Sequence, residues 1–353
     1  MASMQRPLSI QKYVFSNKKK TILVTAIAIL GVVLLFLSKG IIQSIEANVV
    51  RTWALPFKEF SIEKANADNR DAEDIVVEKI YMTGTTGRIS SYAFFTSSAG
   101  MEQIIELNQV DLLKGNYPKA GSNEIVVHKN IAINQGWTVG SVIGSDLGKN
   151  DSLNGEFLIV GLIDADGLLS IGSIEGLESV KGTVERGKLV SRENATQDDA
   201  ADLLYSYESE LSDIDDYGYI LVAIMAVLLI VIVLVTTISI SFLLYLFYIQ
   251  RSAEFGILMA IGYSKNWVAR RSIFEIIYTL IISLLIGSGL SIIILEILNL
   301  TVFMPMGQPL DVFKLSYLKE VLLMILMVLV FSAIPIQSYI KKIDPIDVVE
   351  GGM

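Results

Sequence analysis

Thr21-Ile-Leu-Val-Thr-Ala-Ile-Ala-Ile-Leu-Gly-Val-Val-Leu-Leu-Phe-Leu-Ser-Lys-Gly-Ile-Ile42 is the stretch whose reading decides the fold. It is apolar almost throughout, and three more runs of this kind, Tyr219–Ile249, Ser272–Leu298 and Leu318–Ile340, crowd the last third of the chain. Each exceeds the roughly 18–20 apolar residues that cross a hydrocarbon core of ~30 Å. Between the first run and the second lies a polar, acidic stretch of 176 residues. The expectation is an α-helical polytopic membrane protein with four transmembrane helices and an α+β extracytoplasmic domain inserted between the first and the second. A composition of 52% hydrophobic residues in 353 and a mean hydropathy of +0.54 fit that class better than a soluble domain. With no cysteine, disulfides and thiolate metal sites are excluded.

The first run has the basic leader Lys18-Lys19-Lys20 of a signal peptide. Its apolar core is longer than the usual 7–15 residues, however, and no A-x-A signal closes it, which predicts an uncleaved span. Lys and Arg in the short loops set the orientation. Five precede Thr21 (Arg6, Lys12, Lys18, Lys19, Lys20), and four separate the second and third spans (Arg251, Lys265, Arg270, Arg271). Lys341 and Lys342 follow the fourth span, and Lys314 alone lies between the third and fourth. The expected order is a cytoplasmic leader (1–20), a first span (21–42), the outer domain (43–217) and a long second span (218–249). A cytoplasmic loop (250–271), a third span (272–298), a short outer loop (299–317), a fourth span (318–340) and a cytoplasmic tail (341–353) complete it. Leu8, Ile10, Val14 and Phe15 suit a short interfacial helix in the leader, and a basic segment that only sets topology is the other reading.

The outer domain carries 14 Lys and Arg against 29 Asp and Glu, a net charge near −15, whereas the whole chain stands at −9. The remainder is therefore positive, and an acidic outer domain disfavours nucleic acid. Strands are expected at Phe60–Ile62, Ile75–Ile80, Glu124–Val127, Val139–Val142 and Phe157–Ile163, and helices at Gly100–Leu113, Ile131–Gln135 and Asp198–Asp216. Residues 164–195, rich in Gly and Ser, read as a smaller subdomain or a loop. The second span would extend about 46 Å, well beyond the ~30 Å core, and reads as a stalk in preference to a tilted or kinked helix.

Catalytic signals are weak. His128 is the only histidine, so no His-rich metal site or Ser-His-Asp triad is expected. Gly182-Thr-Val-Glu-Arg-Gly187-Lys188 matches a phosphate loop but ends on Leu189, where Ser or Thr should meet Mg²⁺, and reads as chance. Asn194-Ala-Thr196 and Asn299-Leu-Thr301 are sequons in a glycosylating host only. Glu275 and Glu296 lie at the ends of the third span, and no ionisable residue suits a relay through a helix centre. Thr236, Thr237, Ser239, Ser241 and Gly287-Ser-Gly289 suit close helix packing.

The sharpest local signal is Arg251-Ser-Ala-Glu254-Phe-Gly256-Ile-Leu-Met-Ala260-Ile-Gly262-Tyr263. It reads as a short helix, stopped by Gly262, whose Phe255, Ile257, Leu258 and Ile261 need a cover, either membrane or partner protein. This segment resembles the R-x-x-E-I-G-I-x-[KR]-A-x-G-A loop of MacB/FtsX-type ABC transporter permeases, with Met259 and Tyr263 as departures. Phe274-Glu275, after Arg271, resembles the element that opens their third span, and Lys342-Ile-Asp344-Pro345-Ile346 resembles their closing signature. In the outer domain, Gly115-Asn-Tyr-Pro118, Asn123-Glu124, Gly136, Val139-Gly140, Phe157 and Val160-Gly161 are similar to the core of the family's periplasmic domain.

The resemblance implies a non-enzymatic permease in a bacterial cell membrane, both termini inside, with ATPase coupling through Arg251, Glu254, Phe255, Gly256, Ile257, Leu258, Ala260, Ile261 and Gly262. It implies no cofactor in this chain, since ATP and Mg would be bound by two copies of a separate ATPase subunit. A second permease, identical or not, and an adaptor or extracellular hydrolase are the other implied partners, besides the lipid bilayer. The implied work is export or extraction of a peptide, lipid, lipoprotein or toxic compound by mechanotransmission. The alternative is a signalling scaffold that activates a cell-wall hydrolase.

Overall fold

The structure, a computed structural model, describes residues 18–64, 72–84, 87–144, 153, 155–182, 184–192 and 203–343. The leader at 1–17, the sequon at Asn194 and the signature at 344–347 lie outside these. The described helices are α1 (Lys18–Trp53), α2 (Ser98–Leu107), α3 (Lys129–Gln135), α4 (Ile174–Lys181), α5 (Tyr207–Ile249), α6 (Ser252–Ala260), α7 (Lys265–Leu298) and α8 (Tyr317–Lys342). Stretches of α1, α5, α7 and α8 are long and apolar enough to cross a membrane. The chain divides into a helical unit (1–42, 224–297, 311–353) and a sheet unit (43–223, 298–310).

In the helical unit, small side chains admit close helix packing. A Cβ on Gly287 would stand 2.7 Å from Cγ1 of Val32 in α1. Ser283 Oγ donates to the Thr25 carbonyl at 3.4 Å, and Ser241 Oγ to that of Val328 at 3.4 Å. Gly289 and Ser239, expected to pack in the same way, face outward. Lys39 and Glu320 form an ion pair at 3.3 Å between α1 and α8.

The strands of the sheet unit are β1 (Phe60–Lys64), β2 (Glu73–Gly84), β3 (Gly87–Thr96), β4 (Asp111–Gly115), β5 (Glu124–His128), β6 (Val142–Ile143), β7 (Phe157–Asp164), β8 (Leu169–Ser173), β9 (Gly187–Ser191) and β10 (Leu203–Tyr205). They form one mixed sheet in the order β10-β1-β9-β2-β3-β8-β5-β7-β4, with β6 beside β7. The β3–β8 and β5–β7 pairs are parallel. Strand alternation fills two cores, one on each face. Val76, Ala93, Phe95, Ile125 and Val127 enter one with Ile131 of α3 and Leu177 of α4. Ile75, Tyr92, Phe94 and Val126 enter the other with Met101 and Ile104 of α2.

Several boundaries differ from expectation. Residues 43–53 continue α1, because Ser44, Asn48 and Thr52 recur every four residues on a buried face; their polarity hides the helical period. Residues 111–113 form β4 instead of helix, after Gln109 turns the chain with φ +49°. The strand expected at Val139–Val142 shrinks to Val142–Ile143, because Thr138 and Ser141 close a turn ahead of it. Within the stretch read as subdomain or loop, β8 and β9 join the sheet itself and α4 lies between them in sequence; Ser170 and Gly172, loop-like in sequence, lie between β3 and β5. Leu203–Tyr205 pairs with β1, so helix begins only at Tyr207. Glu210, near that start, accepts a 2.9 Å hydrogen bond from the Tyr92 hydroxyl, and burial raises its carboxyl above the usual range.

The loop expected at 299–317 is mostly structured. It opens with a π-helical turn, Asn299–Phe303. Asn134 Nδ2 donates to the carbonyls of Met306 (2.6 Å) and Thr83 (2.7 Å), and Asn48 Nδ2 to that of Pro309 (3.2 Å). Asn299 is buried, and its Oδ1 accepts from the Leu310 N–H, so this sequon has no accessible amide.

His128 is fully buried at the start of α3. Its Nδ1 accepts from the Asn130 N–H at 3.1 Å, which leaves Nε2–H to donate to the Ala165 carbonyl at 3.2 Å. Burial pushes the imidazole down to about 4, against the carbonyl bond that favours the cation. The unfolded chain takes this proton near pH 6.5 and the folded chain near 4, so stability is lost as pH falls through that window. Thermal unfolding of the full chain is expected to show a loss approaching ~3 kcal/mol between pH 7 and 4, and His128→Gln should remove most of that dependence.

Candidate functional site

Only Gln250 and Arg251 separate α5 from α6. The corner between them is held by charge. Arg251 and Glu275 are 6% and 5% exposed, and Nη1 donates to Oε2 at 2.7 Å. Arg251 Nε reaches Glu254 Oε2 at 3.1 Å, and Arg271 Nε reaches the other oxygen of Glu275 at 3.2 Å. Tyr248 donates its hydroxyl to the Ser272 carbonyl at 3.0 Å and lies 3.4 Å from Glu275 Oε2. The Arg251 guanidinium also sits over the rings of Phe247, Tyr248 and Phe255, 5.1–5.5 Å from their centroids. At that range ring quadrupoles attract a cation. Tyr248 and Phe255 stack at 6.1 Å. One carboxylate on α7 thus binds a guanidinium from the α5–α6 corner and another from its own helix.

This network sorts the residues singled out in the sequence. Phe255, Gly256 and Met259 face inward. Ile257 and Ile261 are 53% and 67% exposed, and Ala253 and Ala260 are exposed beside them on the same helical face. Leu258 lies between the two faces, and Glu254 holds the corner from the outside. At the end of α6, the Gly262 N–H bonds the Met259 carbonyl and the Tyr263 N–H that of Leu258, with Gly262 at φ +106°. That is the Schellman termination, which needs a residue without a Cβ. Ser264 then caps α7, its Oγ accepting from the Trp267 N–H at 3.3 Å. Helix α7 begins at Lys265, so the expected 250–271 loop is shorter because of that cap. Phe274 is half exposed, pointing away from the network that its neighbour Glu275 completes.

Sequence reasoning missed Tyr248 and the Lys39–Glu320 pair. An aromatic three residues before a paired Arg was the available sign of the first. The second joins residues far apart in the chain and left no local mark. The phosphate-loop match dissolves: Gly182 ends α4 and Gly187 opens β9, a helix-to-strand order opposite to the motif's. Lys188 is committed to Asp74 at 2.9 Å and to the Ala72 carbonyl at 2.8 Å. The sheet unit also holds a polar cleft of about 370 Å³, lined in part by Arg51, Lys58, Asp111, Lys129, Asp164 and Asp166.

Charge removal separates the two arms of the network. Glu275→Gln removes the buried carboxylate shared by Arg251 and Arg271, leaving Arg251 only the half-exposed Glu254, and is expected to cost ~3–5 kcal/mol. Glu254→Gln, at a half-exposed carboxylate, should cost no more than ~1 kcal/mol. Thermal melts of the detergent-solubilised variants measure the difference.

Residues 222–343 match the family model described as FtsX-like permease C-terminal. No curated protein sequence matches the chain. Among solved structures, the extracellular domain of the noncanonic ABC-type transporter YknZ from Gram-positive bacteria is similar at 13% identity. That match covers 42% of this chain and 76% of that one, with a TM-score of 0.26. The periplasmic region of MacB from Actinobacillus actinomycetemcomitans is similar at 8% identity over 45% of this chain and 92% of that one, with a TM-score of 0.27. A domain of a putative permease protein from Porphyromonas gingivalis shows 13% identity over 40% and 67%, with a TM-score of 0.23.

Proposed function

From the match of residues 222–343 to the FtsX-like permease model, we propose that this chain is the membrane subunit of an ABC transporter, driven by a separate ATPase. The observation that supports the coupling is the division of α6 into two faces. Its inner face is fixed to α5 and α7 through Arg251, Phe255 and Glu275. Its outer face presents Ile257, Ala260 and Ile261, apolar residues in need of a cover. Two ATPase copies, binding ATP and Mg²⁺, would cover this face on two permease subunits. Their closure would displace α6 together with the helices to which it is pinned.

The chain passes between the helical and sheet units four times, near residues 42, 223, 297 and 310. Helices α1 and α5 run unbroken through the first two passages. The 298–310 segment, at the last two, is hydrogen-bonded to Asn48 and Asn134 of the sheet unit. Motion of the spans would therefore reach the sheet unit at every passage. The reading is mechanotransmission from an inside ATPase to an outside domain, in a bacterial cell membrane with both termini cytoplasmic. Export or extraction of a peptide, lipid, lipoprotein or toxic compound is the work it suits.

Ile257→Asp with Ile261→Asp is expected to weaken capture of the co-expressed ATPase ~10-fold or more, the effect of losing an interface anchor worth at least ~1.4 kcal/mol. Because both side chains face outward, the melting temperature should hold. Unchanged capture and unchanged ATPase stimulation would refute the coupling role. The chain has no cysteine, so single reporters test the orientation. Ala120→Cys should react with an impermeant maleimide on intact cells and Ser264→Cys only after lysis; the reverse pattern inverts the topology.

A further inference from the structure

A second exposed face, on α7, is separate from the ATPase-coupling face of α6. Trp267, Arg270, Phe274, Ile281 and Leu285 follow one another at steps of three, four, seven and four residues, which places them on one side of the helix. All five are exposed. Ile281 and Leu285 lie well within the apolar span, where an acyl chain can cover them. The same stripe continues toward the helix start through Phe274 to Arg270 and Trp267. There the Trp267 ring stacks on Tyr263 at 4.4 Å and lies 5.6 Å from the Arg271 guanidinium. Arg270 is exposed and, among the described residues, has no ion pair or side-chain hydrogen bond.

Positive charge gathers at this end of the unit. Lys265 Nζ donates to the Lys341 carbonyl at 2.9 Å, which brings the start of α7 beside the end of α8. Lys341 and Lys342 are exposed there. The nearby acids among the described residues, Glu254 and Glu275, are already engaged by Arg251 and Arg271. We propose that the Trp267–Arg270–Phe274 face binds an anionic phospholipid. Its phosphate would meet Arg270, its glycerol region would lie against Trp267, and an acyl chain would follow Phe274, Ile281 and Leu285. An apolar run that ends in a Trp and an unneutralised cation complements an amphiphile with a charged head, which favours lipid, and the cations select an anionic headgroup over a zwitterionic one. The site is independent of the coupling role of α6.

The test uses the full chain in bilayer nanodiscs. Quenching of Trp267 is read as the difference between the wild type and Trp267→Phe, so that Trp53 and Trp137 cancel. Brominated phosphatidylglycerol should quench it more than brominated phosphatidylcholine at equal mole fraction. Arg270→Gln should reduce that preference about fivefold, the loss expected for one cation at a lipid surface. Equal quenching by the two lipids overturns the headgroup assignment. Absence of quenching by either, or protection from both by the co-purified ATPase, assigns the face to water or protein and overturns the site.

Discussion

The ion pair between Arg251 and Glu275 is the constraint on which the membrane-side architecture depends. Taking two charges out of water is costly, and the pair recovers that cost only when its remaining donors and acceptors are met. Here they are met by Glu254, Arg271 and Tyr248, and by three aromatic rings around the guanidinium. Apolar packing tolerates rotation of a short helix, whereas directional charged hydrogen bonds such as these resist it. The corner at Gln250–Arg251 therefore fixes which side of α6 faces inward and which is offered to a partner. The Schellman turn at Gly262 and the Ser264 cap then direct the chain into α7 within a few residues.

The sheet unit is organised by a different rule. Its central strands are covered on both faces, so adjacent residues such as Phe94 and Phe95 enter opposite cores. Burial on both sides, as along Tyr92–Thr96 and Leu169–Ser173, leaves little room for large polar side chains, whereas Phe157–Asp164 alternates buried and partly exposed residues. The exceptions are specific. His128 sits fully buried because both ring nitrogens have backbone partners, and Asn134 is retained because it joins β2 to the 298–310 segment. That segment, though it connects two spans, is thereby part of the sheet unit.

The four spans and the strands at residues 60, 75, 124 and 157 were legible because hydrophobic length and alternation are local properties. The failures were also local in origin. Ser44, Asn48 and Thr52 are buried but polar, so the end of α1 reads as the start of a soluble domain. Ser170 and Gly172 read as loop although they lie between two strands, where small side chains fit. Asn108 and Gln109 carry no strong turn signal, and the helix expected through Leu113 stops there because the backbone turns.

By itself, the sequence determined where the chain is apolar enough to cross a membrane, that the inserted domain is acidic, and that residues 251–262 form a short, Gly-ended helix with surplus apolar side chains. These follow from composition and spacing, which need no knowledge of distant neighbours. Only the tertiary structure decided which of those side chains are surplus. Phe255 and Ile257 are equally apolar and two residues apart, yet one lies beneath a guanidinium and the other faces outward. The reason is Glu275, 24 positions from Arg251 in the chain, whose charge is satisfied in a single arrangement of three helices.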